Sequence, residues 1–182
     1  MSLPVVPARG RAAVGALTLV GMDFDALRPE NLAPVPVDLE ELADALEGDA
    51  LFSGGVLDLD TGEVWPQCVV DQMRESEGVD WDERIEHPLS VESLGSRAAY
   101  QDMCDFIDGL SDGPLAEKLA VAVRGRGAFA RFKDVLGEED PSALQSYFAM
   151  ARARKKARAA AWLEANGYRA VGSPAEEGEE DE

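Results

Sequence analysis

Histidine and cysteine are nearly absent from this chain of 182 residues, which holds one histidine, His87, and two cysteines, Cys68 and Cys104. With no C-x-x-C pair, spacing suggests neither a metal site nor a disulfide framework. Both cysteines are expected as small core residues in a reducing cytoplasm. A serine-type triad would need a nucleophile held beside His87. Ser90 and Ser93 are near in sequence, but no nucleophile-elbow pattern sets one up, so His87 reads as structural or solvent-facing. Long apolar runs are missing too. The mildly apolar run at 12–22 follows Arg9 and Arg11, yet it contains Gly15 and Gly21 and has no clear cleavage site, which argues against a secretory signal. No run is long enough for a transmembrane helix.

Positive charge is the other scarcity. Against 36 Asp and Glu stand 17 Lys and Arg, for a net charge of −19, so the molecule as a whole is not drawn to nucleic acid or to an anionic membrane. The charge is segregated, however. Residues 37–95 carry 17 acidic and 2 basic side chains, a balance of −15; residues 124–136 carry 4 basic and 1 acidic, and residues 151–169 carry 6 basic and 1 acidic, balances of +3 and +5. Either these basic segments pack beside the chain's own acidic half or present a solvated face, or they form a binding patch.

At 46% hydrophobic, the chain can bury one real core. Residues 1–36, with Pro4, Pro7, Pro29, Pro34 and Pro36, read as a partly disordered N-terminal extension, residues 37–168 as a single domain, and residues 169–182 as a disordered acidic tail. Asp38 is placed to cap a helix through Leu46, with Leu39, Leu42 and Leu46 on one stripe and Gly48 as its stop. A β-hairpin is expected over 51–70: Val56, Leu57 and Leu59 enter the turn Asp60-Thr61-Gly62, and Val64, Trp65, Cys68, Val69 and Val70 leave it. Pro66 puts the second strand at an edge or breaks it. Residues 81–85 are read as a third strand.

From Ser96 onward the periodicity is helical. Ala99, Met103, Phe106, Ile107 and Leu110 mark the inner face of a first helix, and Leu115, Leu119, Ala122 and Val123 that of a second. The chain then turns through Gly125 and Gly127 into a third helix at Ala128, where Phe129, Phe132, Val135 and Leu136 share a face and Gly137 is the stop. Asp140 and Pro141 open a long helix to about Asn166, with Tyr147, Phe148, Ala151, Trp162 and Leu163 as core contacts. The expected class is α+β: a small antiparallel β-sheet packed with a mainly helical C-terminal half.

Three motifs invite chemistry. Asp58-Leu59-Asp60-Thr61-Gly62 has the Asp-Thr-Gly of an aspartic protease, but Glu63 stands where Ser or Thr is needed and no second copy exists. The i and i+2 aspartates fit a haloacid-dehalogenase-type phosphatase, but Gly62 stands where Thr or Val is expected and the alternating strands and helices are missing. A calcium loop fails on the position of its glycine. The plainer reading is a hairpin turn. Gly125-Arg126-Gly127 is no phosphate loop, although the N–H groups opening the next helix, beside Arg124 and Arg126, could hold one anion. Arg152, Arg154, Lys155, Lys156 and Arg158 surround a helix and could contact phosphates without reading bases.

The series Asp58-Leu59-Asp60-Thr61-Gly62-Glu63-Val64, then Tyr100, Met103, Phe106 and Ile107, then Gly125-Arg126-Gly127-Ala128-Phe129, Arg131-Phe132-Lys133-Asp134, and finally Trp162-Leu163, resembles the uncharacterised bacterial protein family 158 over roughly residues 37–168. Ala130 and Tyr147 depart from that family, which commonly has a basic residue and a tryptophan there. The resemblance implies a bacterial, cytoplasmic protein and carries over no activity and no catalytic residues.

Together these readings lead to three expectations. The first is a non-enzymatic interaction module in which Arg124, Arg126, Arg131 and Lys133, joined by Arg154 and Arg158, meet an acidic protein or an anion. The second is RNA or DNA binding through the same basic helix-turn-helix face, with the acidic tail competing for it. The third is a metal-dependent hydrolase using Asp58 and Asp60. No cofactor, metal site or membrane contact is implied, and no oligomeric state.

Overall fold

The computed structural model describes residues 31–48, 53–78, 84–111 and 113–172, among which lie six helices and five strands in an α+β arrangement. The strands fall in two small sheets. Strand β1 (Ala33–Val35) pairs in parallel with β5 (Tyr168–Ala170), Val35 lying opposite Ala170, so residues inside the stretch read as an extension are bonded to the start of the stretch read as a tail. Between them helix α1 (Leu39–Glu47) begins where the Asp38 carboxylate accepts the Glu40 N–H at 2.6 Å, and it buries Leu42, Ala43, Ala45 and Leu46.

A three-stranded antiparallel sheet follows, in the order β3-β2-β4. Strands β2 (Gly55–Asp58) and β3 (Val64–Pro66) form the expected hairpin. Gly62 sits at φ +77°, and a Cβ there would lie 2.0 Å from the Pro36 carbonyl oxygen, so the turn is pressed against the chain entering α1 and only glycine fits. After Pro66 the expected strand is instead helix α2 (Gln67–Glu77). Proline cannot extend the ladder, and of Cys68, Val69 and Val70 only Val70 is buried, against Val56, Ile85 and Trp65. The cysteines are thus not core residues: Cys68 is exposed and Cys104 half-buried.

The third strand is β4 (Pro88–Val91), which pairs with β2 from Asp58↔Pro88 to Gly55↔Val91. Residues 81–83 of the expected strand lie outside the described residues; Arg84 and the buried Ile85 precede β4. Pro88 is tolerated because it starts an edge strand, where a missing N–H breaks no ladder bond.

Four helices complete the chain: α3 (Arg97–Asp108), α4 (Pro114–Ala122), α5 (Ala128–Glu139) and α6 (Pro141–Ala165). Helix α5 runs through Gly137 rather than stopping there. A Cβ at that position would meet Leu144 Cδ2 at 3.3 Å, so glycine allows α6 to approach closely. The break comes at Asp140, whose carboxylate accepts the N–H groups of Ser142 and Ala143 at 3.0 and 2.9 Å and caps α6.

The apolar side chains divide into two main cores, and α6 runs through both. Its first half joins Met103, Leu119, Val123, Phe132, Leu136 and Tyr147 in a helical lobe, where Phe106, Phe132 and Tyr147 meet edge to face with centroids 4.7–6.2 Å apart. Its last turns place Ala159 and Leu163 against Val35, Leu42, Leu46, Leu57 and Val91 of the β-side core. Two residues expected in the helical core are not enclosed: Phe129 and Phe148 remain 36% and 43% exposed. No helix among the described residues is long and apolar enough to cross a membrane.

Candidate functional site

The glycine-arginine turn between α4 and α5 is built around one side chain. Helix α4 ends with unpaired carbonyls, as every helix does. Gly125 and Gly127, at φ +74° and +75°, turn the chain so that α5 can start at Ala128. Arg131, one turn into α5, then folds its guanidinium back over the turn. Its Nε donates to the Ala122 carbonyl at 3.2 Å, its Nη2 to that of Arg124 at 2.5 Å, and its Nη1 to that of Arg126. A planar fork with donors on three nitrogens can bridge three carbonyls in this way, and an ammonium cannot match that geometry. Arg131 therefore acts as a cap for the end of α4 and the turn, with its donors turned inward.

Arg124, Arg126 and Lys133 are left outside. All three are exposed, and among the described residues none makes a side-chain hydrogen bond or ion pair, neither with Asp58 or Glu63 of the acidic hairpin nor with any other group. Phe129 stands four residues before Lys133 on α5, on the same helical face, and shows a third of its surface.

The cations of α6 have the opposite fate. Arg158 lies between two carboxylates that are almost wholly buried, Glu47 with 1% and Asp102 with 5% of its side chain exposed. Its Nε and Nη2 form a fork onto Glu47 at 2.5 and 2.8 Å, and Nη2 and Nη1 reach Asp102 at 2.9 and 3.3 Å. Arg154 Nη1 bridges Asp102 and Asp105 at 3.1 and 2.6 Å. Further out, Lys155 meets Asp44 at 2.5 Å, and Lys156 and Arg152 meet Glu40 at 3.0 and 3.6 Å.

Hydrogen bonds to Glu47 hold the Arg158 guanidinium still further above its already high range, those to Asp102 and Asp105 do the same for Arg154, and the Gln101 amide followed by Arg154 lowers Asp105. Burial, with the Asp102 charge second, raises the Tyr147 phenol. Arg154 and Arg158, read from sequence as part of the binding face, are committed to a polar seam between the two cores.

Sequence reasoning passed over Glu47 and Asp102, and a signal for the seam existed. Glu40, Asp44 and Glu47 recur at i, i+4 and i+7 along one stripe of α1. Arg154 and Arg158 continue the spacing of Tyr147 and Ala151 along α6, so two arginines occupy an otherwise core-facing stripe and must have carboxylates opposite.

The hairpin carboxylates are engaged in holding the turn. Asp58 Oδ1 accepts the N–H groups of Asp60 and Thr61 at 2.9 and 3.4 Å, an Asx-type turn. Asp60 Oδ2 lies 2.8 Å from His87 Nδ1, and this hydrogen bond, followed by the Asp60 charge, raises the His87 pKa above its usual 6.5. Among the described residues no three His, Cys, Asp or Glu side chains gather as a metal site would require.

Comparison with protein-family models, with curated proteins and with solved structures finds nothing that matches this chain.

Proposed function

We propose that the protein is a non-enzymatic interaction module whose α4–α5 turn docks on an acidic protein surface through Arg124, Arg126 and Lys133. The observation that carries this reading is the contrast in pairing. In a chain of net charge −19, intramolecular carboxylates are plentiful, yet among the described residues these three exposed cations have none, whereas all five cations between Arg152 and Arg158 have theirs. Arg131 belongs to the scaffold: it holds the backbone of residues 122–126 in the shape that presents Arg124 and Arg126. The compartment we assign is a reducing bacterial cytoplasm, which suits two free thiols, one of them exposed.

A second reading, single-stranded nucleic acid, is favoured by the exposed ring of Phe129 one helical turn from Lys133, since a base can stack there while phosphates meet the basic side chains. One experiment separates the two. Fluorescently labelled poly-glutamate peptide, single-stranded RNA and duplex DNA are titrated across a salt series with the native chain and with Arg124→Glu plus Arg126→Glu. Peptide binding that weakens with salt and is lost in the folded variant supports the first reading. Preference for single-stranded RNA, reduced by Phe129→Ala, transfers the turn to the second. Absence of binding to all three at low salt rejects both.

A further inference from the structure

Helices α4 and α5 bury Leu119, Ala122, Phe132 and Leu136 toward the helical lobe. On their outer side a groove of about 560 Å³ runs between them, with Val121 and Val135 in its walls. Val121 is 62% exposed, the highest value among the large apolar side chains of the described residues. One exposed valine needs no explanation by itself. Here the charges around it supply one.

Among the groove's own lining residues, Glu117, Glu138 and the Lys118–Glu139 pair, closed at 2.6 Å, stand at the open end of the hairpin: three negative charges to one positive, a balance of −2. Arg131 and Asp134, nearer the turn, cancel. All six are exposed, and past them the turn itself adds the exposed Arg124 and Arg126, for +2. The outer face of the hairpin is thus acidic at one end, apolar in the middle and basic at the other. Glu117, Asp134 and Glu138 make no side-chain hydrogen bond or ion pair among the described residues, and neither do Arg124 and Arg126. Asp134 and Glu138, four residues apart on α5, also repel each other, which a facing cation would relieve.

The spacing of these groups is self-complementary. Glu117 and Val121 are one helical turn apart on α4, and the Arg124 N–H still donates to the Val121 carbonyl at 3.2 Å, so the helical path continues to the arginine. At 1.5 Å per residue, Glu117 lies about 6 Å before Val121 and Arg124 about 4.5 Å after it. A second copy laid antiparallel, Val121 against Val121, brings each Glu117 level with the other copy's Arg124. The Lys118–Glu139 pair sets the end of α5 beside the start of α4, so each Glu138 comes level with the other copy's turn, where Arg126 stands. A two-fold axis makes every such contact twice.

Building on the role proposed for the turn, we infer that the acidic surface it meets is this groove in a second copy of the chain, the two α4–α5 hairpins packing as a two-fold four-helix bundle centred on Val121. Helices of 9 and 12 residues are about 14 and 18 Å long, so the shared face falls below the roughly 1,200 Å² of a permanent interface and the dimer is a weak one. The overall charge of −19 opposes the approach of two copies, but at about 0.15 M salt it is screened beyond about 8 Å, whereas the pairs form in contact.

The test is sedimentation equilibrium of the full chain at concentrations up to about 1 mM in about 0.15 M salt, where a monomer–dimer equilibrium is expected. Glu117→Arg and Arg124→Glu each turn two attractions into two repulsions and should each weaken the dimer at least about tenfold. Mixed in equal amounts, these two variants should associate again, because each supplies the charge the other has lost. Val121→Ser, at an exposed position, should weaken association with no change of charge. Circular dichroism establishes that each variant is folded.

A native chain that stays monomeric at about 1 mM, undiminished association in folded Glu117→Arg, a mixture that stays monomeric, or growth beyond the dimer would each overturn the assignment. Labelled poly-glutamate peptide keeps the two proposals apart. A native chain that stays monomeric yet binds this peptide through Arg124 and Arg126 loses the self-pairing and keeps the role of the turn, whereas a chain that does neither loses both.

Discussion

The basic side chains of the α4–α5 turn and those of α6 carry the same charge, lie within about 35 residues of one another and belong to adjacent helices, yet they end in different physical states. On α6 the cations face a stripe of carboxylates on α1 and two more on α3, and each becomes part of an intramolecular ion pair. At the turn, Arg131 is consumed by backbone carbonyls, and Arg124, Arg126 and Lys133 are exposed and make no ion pair among the described residues. Density of charge therefore says little about availability. What decides it is whether the opposite helix supplies a carboxylate at the matching height, and α6 is the element that α1 and α3 both pack against.

The largest effect is expected where that comparison is sharpest. Removing Arg158 leaves Glu47 and Asp102 buried without their fork, and Arg158→Ala should lower unfolding free energy in urea by about 3 kcal/mol, because uncompensated buried charge is costly. A loss under about 1 kcal/mol would mean that water enters the seam and that the two basic regions are less different than their geometry implies. Replacing Glu47, Asp102 and Arg158 together by apolar residues should recover much of the loss, since the pair's net worth is small once desolvation is counted.

Next in size is Arg131. Arg131→Ala exposes three carbonyls at the end of α4 and its turn and should cost about 1 kcal/mol. Arg131→Lys should recover little of it, as a single ammonium cannot span Ala122, Arg124 and Arg126. Full recovery by lysine in a thermal melt would assign the effect to charge instead of to the fork. Arg124→Glu with Arg126→Glu should leave stability within about 0.5 kcal/mol while abolishing partner binding. An unfolded double variant would show that these side chains have a structural role like that of Arg131.

The smallest effect concerns His87, which ties the hairpin turn to the start of β4 through Asp60. Its folded-state pKa is raised, so the contribution of this contact is fully present below the usual 6.5 and fades as pH rises through the folded value. An NMR titration of the imidazole should show a midpoint above 6.5, and Asp60→Asn should move it back toward that value. A midpoint unchanged by Asp60→Asn would assign the shift to the surrounding acidic field.

Much of the architecture was legible from local signals. The caps at Asp38 and Asp140, the glycine turn at Gly62, the apolar spacing of Met103, Leu119, Phe132 and Leu136, and the two left-handed glycines at the α4–α5 turn are all interactions within a few residues, and the structure has each of them. Local patterns failed where packing was the arbiter. Val69 and Val70 looked like a strand, but Pro66 ends the ladder and only Val70 finds apolar neighbours, so the segment is α2. A third strand forms at Pro88–Val91, where no strand was expected, because Pro88 begins an edge strand and its missing N–H breaks no ladder bond. Phe129 and Phe148 keep the core period and remain exposed because no helix among the described residues covers them.

The sequence by itself determined the α+β class, the segregation of charge, the position of the basic turn and the ends of most helices, because each follows from neighbouring residues and from composition. Tertiary structure alone decided which arginines are spent. Arg158 lies 111 residues from Glu47 and 56 from Asp102, and Arg154 lies 52 from Asp102, so their pairing exists only once α6 is laid between α1 and α3. Coulomb attraction at about 3 Å in a low-dielectric seam is strong, and at the separations of an unfolded chain in salt it is screened to almost nothing.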